Sequence, residues 1–123
     1  MKYQSEIIDW GEEALYFLED ESLNFIILFH EGAPEELKEV AILHKKATLF
    51  GEPAVGDKFF ICGKHFEITA VGEEAKRTFK QLGHCTLCFS GEDHPQMPGY
   101  INVKGLEKLE PKDIRAGGEI RIS

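Results

Sequence analysis

Short apolar runs of β-type residues, each closed off by a turn, recur along this chain and leave it few ways to fold. Phe25-Ile26-Ile27-Leu28-Phe29 reads as a buried strand. Lys58-Phe59-Phe60-Ile61-Cys62 and Phe66-Glu67-Ile68-Thr69-Ala70-Val71 flank Gly63-Lys64-His65, which reads as a hairpin. Cys85-Thr86-Leu87-Cys88-Phe89, Tyr100-Ile101-Asn102-Val103 after Pro98-Gly99, and Glu119-Ile120-Arg121-Ile122 supply three more strands. Val55-Gly56-Asp57-Lys58-Phe59 and Ala116-Gly117-Gly118-Glu119-Ile120 resemble each other, a weak sign of an internal repeat. Helical spacing is rarer. Ala75, Phe79 and Leu82 predict a helix over Glu73–Leu82, stopped by Gly83. Pro34-Glu35-Glu36-Leu37-Lys38-Glu39 opens like a first helical turn, and Glu12–Leu18 fits a short helix or a strand equally well. The expected fold is mainly β, a small antiparallel-rich barrel or sandwich with one or two short helices.

At 123 residues the chain is read as one domain, 1–123, with one real core. Its 14 Lys and Arg against 22 Asp and Glu give a net charge of -8, which argues against nucleic acid or an anionic membrane surface as partner. No apolar run approaches the ~20 residues of a bilayer span. Met1-Lys2-Tyr3-Gln4-Ser5-Glu6 does not begin like a signal peptide, and three cysteines read as reduced thiols, so the expected place is the cytoplasm.

The main stock for chemistry is five histidines: His30, His44, His65, His84 and His94. His44 follows the apolar Ala41-Ile42-Leu43 and precedes Lys45 and Lys46. On a strand His44 and Lys46 would share a face, with Lys45 on the other. A cation there keeps the imidazole unprotonated and neutralises phosphoryl oxygens. The plainer reading is a solvated strand end. His84, Cys85, Cys88 and His94 raise a zinc site, but there is no second ligand pair, and strand residues three apart face opposite sides. Two buried strand cysteines are the simpler reading. No glycine loop fits a dinucleotide or P-loop fingerprint, and no serine sits in a nucleophile elbow. No cofactor is expected.

Several blocks together resemble one family. They are Glu31-Gly32-Ala33-Pro34 with Leu37; Ile42-Leu43-His44; Phe66-x-Ile68-Thr69-Ala70-Val71-Gly72; Leu82-Gly83-His84-x-Thr86-Leu87-x-Phe89; and Pro98-Gly99 before a strand ending in Val103-Lys104-Gly105. From about residue 24 onward the chain is similar to the glucitol/sorbitol-specific IIA component of the bacterial phosphoenolpyruvate-dependent sugar phosphotransferase system. The resemblance implies a phosphocarrier that takes a phosphoryl group from the carrier protein HPr on a histidine. It then passes the group to a cysteine of the cognate IIB domain for hexitol uptake. His44 occupies the place of the family's phosphorylated histidine, and His65 and His84 fall where the family has histidines, one of them a candidate supporting partner. Lys46 or Lys45 would offset phosphoryl charge. On this reading His44 is exposed in a shallow apolar depression, with Phe29, Leu49, Phe50 and Met97 as candidate rim residues. A ring sealed in the interior with both nitrogens engaged would count against the relay. The alternatives are a non-catalytic regulatory or binding module of the same fold, and a metal-binding protein using His84, Cys85, Cys88 and His94.

Overall fold

The structure, a computed structural model, describes all 123 residues. It is a closed eight-stranded barrel: β1 (Tyr3–Trp10), β2 (Phe25–His30), β3 (Ile42–His44), β4 (Lys58–Ile61), β5 (Lys64–Val71), β6 (Cys85–Cys88), β7 (Tyr100–Lys104) and β8 (Glu119–Ile122). Around the barrel they run β1, β3, β2, β6, β7, β5, β4, β8 and back to β1. Pairing is antiparallel except for two parallel pairs, β2 with β3 and β6 with β7. Closure leaves no free sheet edge.

Three helices accompany the strands rather than the expected one or two: α1 (Tyr16–Glu19), α2 (Glu35–Lys38) and α3 (Glu73–Leu82), with a 3₁₀ turn at Pro111–Asp113. The undecided segment before Leu18 becomes the entry to α1. The predicted span of α3 matches the observed one, and Gly83 ends it with φ +60°. That left-handed conformation suits glycine.

Alternation along each strand builds the core. Tyr3, Ser5 and Ile7 of β1, Ile26 and Leu28 of β2, and Ile42 and His44 of β3 are all buried. The main cluster joins Phe59, Ile61, Phe66, Ile68, Leu87, Ile101, Val103, Ile120 and Ile122 to Leu18 of α1 and Phe79 of α3. Phe29 and Leu43 take the opposite face and pack with Ala33 and Ala41 in a smaller outer cluster, against Leu37 of α2. Phe79 seats against the Tyr3 ring, with centroids 4.9 Å apart, so α3 closes the barrel mouth where β1 begins.

The barrel repeats itself. Exchanging β1–β4 with β5–β8 reproduces the strand order, and Tyr3 and Lys58 correspond to Lys64 and Glu119, each 61 positions on. Both long strands carry a register break, at Ile7/Asp9 and at Ile68/Ala70. The resembling turns before β4 and β8 are equivalent, with Gly56 and Gly117 at φ +95° and +85°.

Candidate functional site

His44 ends β3 with its side chain on the inward face, two residues after the core residue Ile42. Its ring is fully buried, not exposed as the sequence led us to expect. The reason is strand parity: a residue in step with Ile42 must point into the barrel. Both nitrogens are engaged, so the resting ring is closed to a phosphoryl donor, the arrangement that counts against the relay. Nε2 lies 2.9 Å from the Gly83 carbonyl oxygen. Nδ1 lies 3.1 Å from the Tyr3 hydroxyl, 3.2 Å from the Lys45 carbonyl and 3.3 Å from the Ser5 hydroxyl.

These partners fix the resting tautomer. Carbonyls face both nitrogens and can only accept; the shorter contact, Nε2 to Gly83 at 2.9 Å against Nδ1 to Lys45 at 3.2 Å, places the proton on Nε2. Nδ1 then carries the lone pair and accepts from Tyr3, because the Ser5 hydroxyl donates to the Lys45 carbonyl at 2.7 Å. Burial holds the His44 pKa below the ordinary imidazole value, and the Gly83 and Lys45 carbonyls, which would favour a charged ring, only partly oppose it. Burial also pushes the Tyr3 phenol up to about 12, so it stays a donor at neutral pH. The alternative tautomer would place Nδ1–H on the Lys45 carbonyl and leave Nε2 with a lone pair facing Gly83.

Beyond Gly83 a surface pocket of about 200 Å³ opens, lined by Tyr3, His30, Lys46, Phe79, Lys80 and Gly83 among others. His30 reaches it because the parallel β2–β3 pairing sets His30 opposite His44. Gly83 lies between the two histidines: a Cβ added there would sit 2.6 Å from His44 Cε1 and 3.3 Å from His30 Cβ. Lys46 and Lys80 stand at the rim without a carboxylate within 4.0 Å, which among the lysines is true elsewhere only of Lys104. In a chain of net charge -8 this is a local cationic pocket above a buried imidazole.

The other expected site residues fare differently. Lys45 is held by Glu6 at 2.5 Å and is not free for a ligand. Lys46 joins the pocket, although β3 ends before it. His65 is on β5, four strands from β3 in either direction, so it is across the barrel and not in the site. The His84 ring lies over Phe29, centroids 4.8 Å apart, and its Nδ1–H donates to the Leu28 carbonyl at 3.0 Å. His84 thus meets His44 only through the backbone of Gly83. Thr78 ties that turn down by donating to the His84 carbonyl at 2.7 Å. Cys85 and Cys88 are buried, the side chain of His94 is 90% exposed, and His84, Cys85, Cys88 and His94 do not converge on a metal position. Of the rim candidates, Phe29 is buried in the outer cluster, whereas Phe50 and Met97 are exposed. His30 and Lys80 were not singled out by sequence reasoning. Only the parallel register and the end of α3 bring them to His44.

Comparison with known proteins bears on what such a pocket does. The family described as "PTS system glucitol/sorbitol-specific IIA component" matches residues 2–121. The chain is 34% identical over 120 residues to the glucitol/sorbitol-specific EIIA components of Escherichia coli (strain K12) and Shigella flexneri, covering 98% of this chain and 93% of each relative. The crystal structure of a PTS system IIA component from Enterococcus faecalis V583 superposes with a TM-score of 0.73 at 28% identity, over 97% of this chain and 98% of that one. No helix of the chain is long and apolar enough to cross a membrane. With a family match across nearly its whole length and relatives above 30% identity, this chain belongs to the glucitol/sorbitol-specific IIA component family of the phosphotransferase system.

Proposed function

We propose that the chain is a phosphocarrier in which His44 takes a phosphoryl group from phospho-HPr and yields it to a cysteine thiolate of a IIB domain. The observation that carries this is the pairing of a neutral imidazole with the unpaired cations Lys46 and Lys80 across one glycine. Transfer needs little more than a positioned nucleophile and compensation of charge on the phosphoryl oxygens.

The buried ring sets the order of events. The Gly83 carbonyl swings off Nε2, the ring gives up its Nε2 proton to water in the pocket and takes one up on Nδ1, and the new Nδ1–H donates to the Lys45 carbonyl. Nε2 then faces the pocket with a lone pair. The N–P bond of phospho-HPr breaks as the N–P bond to Nε2 forms, and its electron pair returns to the HPr imidazole. In the second transfer the IIB sulfur takes the phosphoryl group, and the His44 lone pair is restored.

The test is incubation with phosphoenolpyruvate, enzyme I and HPr. The expected result is an acid-labile, base-stable mass gain of one phosphoryl group that maps to His44. His44→Ala should lose it, as should His44→Gln, whose amide keeps a donor for the Gly83 carbonyl and so protects the fold. Uptake that persists in both variants would overturn the assignment. A closed ring also suits a regulatory module that never takes up phosphate. An intact, folded protein that gains no phosphoryl group under these conditions would favour that second reading.

A further inference from the structure

We infer that His30 donates the hydrogen bond that holds the phosphoryl group on His44. This rests on His44 being the acceptor. Three features lead to it. First, the Gly32 amide donates to His30 Nδ1 at 3.1 Å. A neutral His30 with Nδ1 accepting carries its proton on Nε2, so its far nitrogen is a fixed donor and not a competing nucleophile. Second, the parallel register sets this residue beside His44 at the end of β2, where it lines the pocket beyond Gly83. Third, Lys46 shares the wall: a Cβ added to Gly32 would lie 3.1 Å from His30 Cε1 and 3.5 Å from Lys46 Cε. The imidazole supplies direction and the ammonium supplies charge at one spot.

The two halves of the barrel sharpen the point. The β1–β3 pairing sets Leu43 opposite Asp9, and the β5–β7 pairing sets Asn102 opposite Ala70, so Val103 stands where His44 stands. By the matching parallel pairs, Leu28 with Ile42 and Leu87 with Ile101, Phe89 stands where His30 stands. Neither histidine has a histidine counterpart. The geometry needs no imidazole at either position for the strands to close, which fits a joint chemical role.

His30→Asn and His30→Gln separate this role from a structural one. The Asn amide oxygen can still accept from Gly32 but has no donor at the distal position, whereas the Gln amide nitrogen reaches the place of Nε2. Uptake from phospho-HPr, the lifetime of the phosphoryl group on His44 and its 31P shift are compared with wild type. Asn should slow uptake about tenfold or more and shorten the lifetime, and Gln should lie within about threefold of wild type. Equal rates in His30→Asn and wild type, or a Gln variant as slow as Asn, would overturn the inference. Mass-spectrometric mapping of the wild-type label keeps the two claims apart. A label away from His44 removes the reading beneath, whereas a label on His44 with unimpaired His30→Asn removes only this one.

Discussion

Burial disfavours the charged form of the His44 imidazole, and this makes stability depend on pH in a direction that can be worked out. Its folded pKa lies below the ordinary value, so the unfolded chain takes up the proton first as pH falls. The full contribution is therefore present above about pH 6.5, the ordinary imidazole value, and is lost as pH drops below it. Thermal unfolding of wild type and His44→Gln from pH 8 to pH 5 isolates this, since the other titrating groups are common to both. Wild type should lose stability relative to the variant below about pH 6.5. A flat difference would show that the ring is not held neutral. His44 stands out in the sequence as the candidate acceptor because it follows an apolar run and precedes two lysines. Its burial was legible too, in the parity with Ile42, but the demand for an exposed nucleophile pointed the other way. His30 was not legible, because it gains a role only through a parallel neighbour that no local pattern announces.

At the scale of elements, glycines mark where backbones meet. Gly11 after β1 and Gly72 after β5 occupy equivalent places: a Cβ would lie 2.1 Å from the carbonyl oxygens of Lys38 and Glu39 at Gly11, and of Pro98 at Gly72. Gly72 has an ordinary φ of -68°, so the only obstacle to a side chain is the facing backbone. Gly56 is the opposite case, with φ +95° and nothing within 4 Å of an added Cβ. Gly72→Ala should cost about 3 kcal/mol or more, since backbone has to move. Gly56→Ala should cost only about 1–2 kcal/mol, the strain of a left-handed conformation. Urea midpoints of the two variants check the order, and the reverse order would contradict the close backbone contact. The six strands read from apolar runs and the span of α3 were legible for simple reasons of composition and period. The strand β1 was not. Its inward residues Tyr3, Ser5 and Ile7 include two polar ones, because this strand supplies the hydroxyls around His44. The site blurred the pattern of the element that builds it.

Across the whole molecule, a two-fold repeat of strands places a buried imidazole beneath unpaired lysines at one end only. The equivalent of the His44 pocket is a hollow of about 180 Å³ lined by Asn24, Phe66, Phe89, Val103 and Leu106 among others. Asn24, at φ +49°, takes the place of Gly83 in it, and Phe66, the counterpart of Ser5, packs on Phe89 with centroids 5.1 Å apart. No histidine lines it, so uptake should stop at one group per chain. Electrostatics also differs between the ends: Glu107 stands with Lys104 and Lys108 in the second hollow, whereas no carboxylate lines the His44 pocket. Most lysines are tied to carboxylates at the surface, where each pair contributes little and is screened by salt. Lys46 and Lys80 are left facing the pocket, and the field of a chain with net charge -8 would otherwise repel a phosphoryl donor. Replacing both by Gln takes the net charge from -8 to -10 and removes the local sign reversal. Because the two side chains are exposed and unpaired, stability should change by no more than about 0.5 kcal/mol. Phosphoryl uptake by the double variant should fall about tenfold or more at low salt, and the gap to wild type should narrow as added salt screens the lysines. Stopped-flow or quench-flow transfer from phospho-HPr across a salt series measures both. A gap that is absent at low salt would mean that the pocket's charge plays no part in receiving the group.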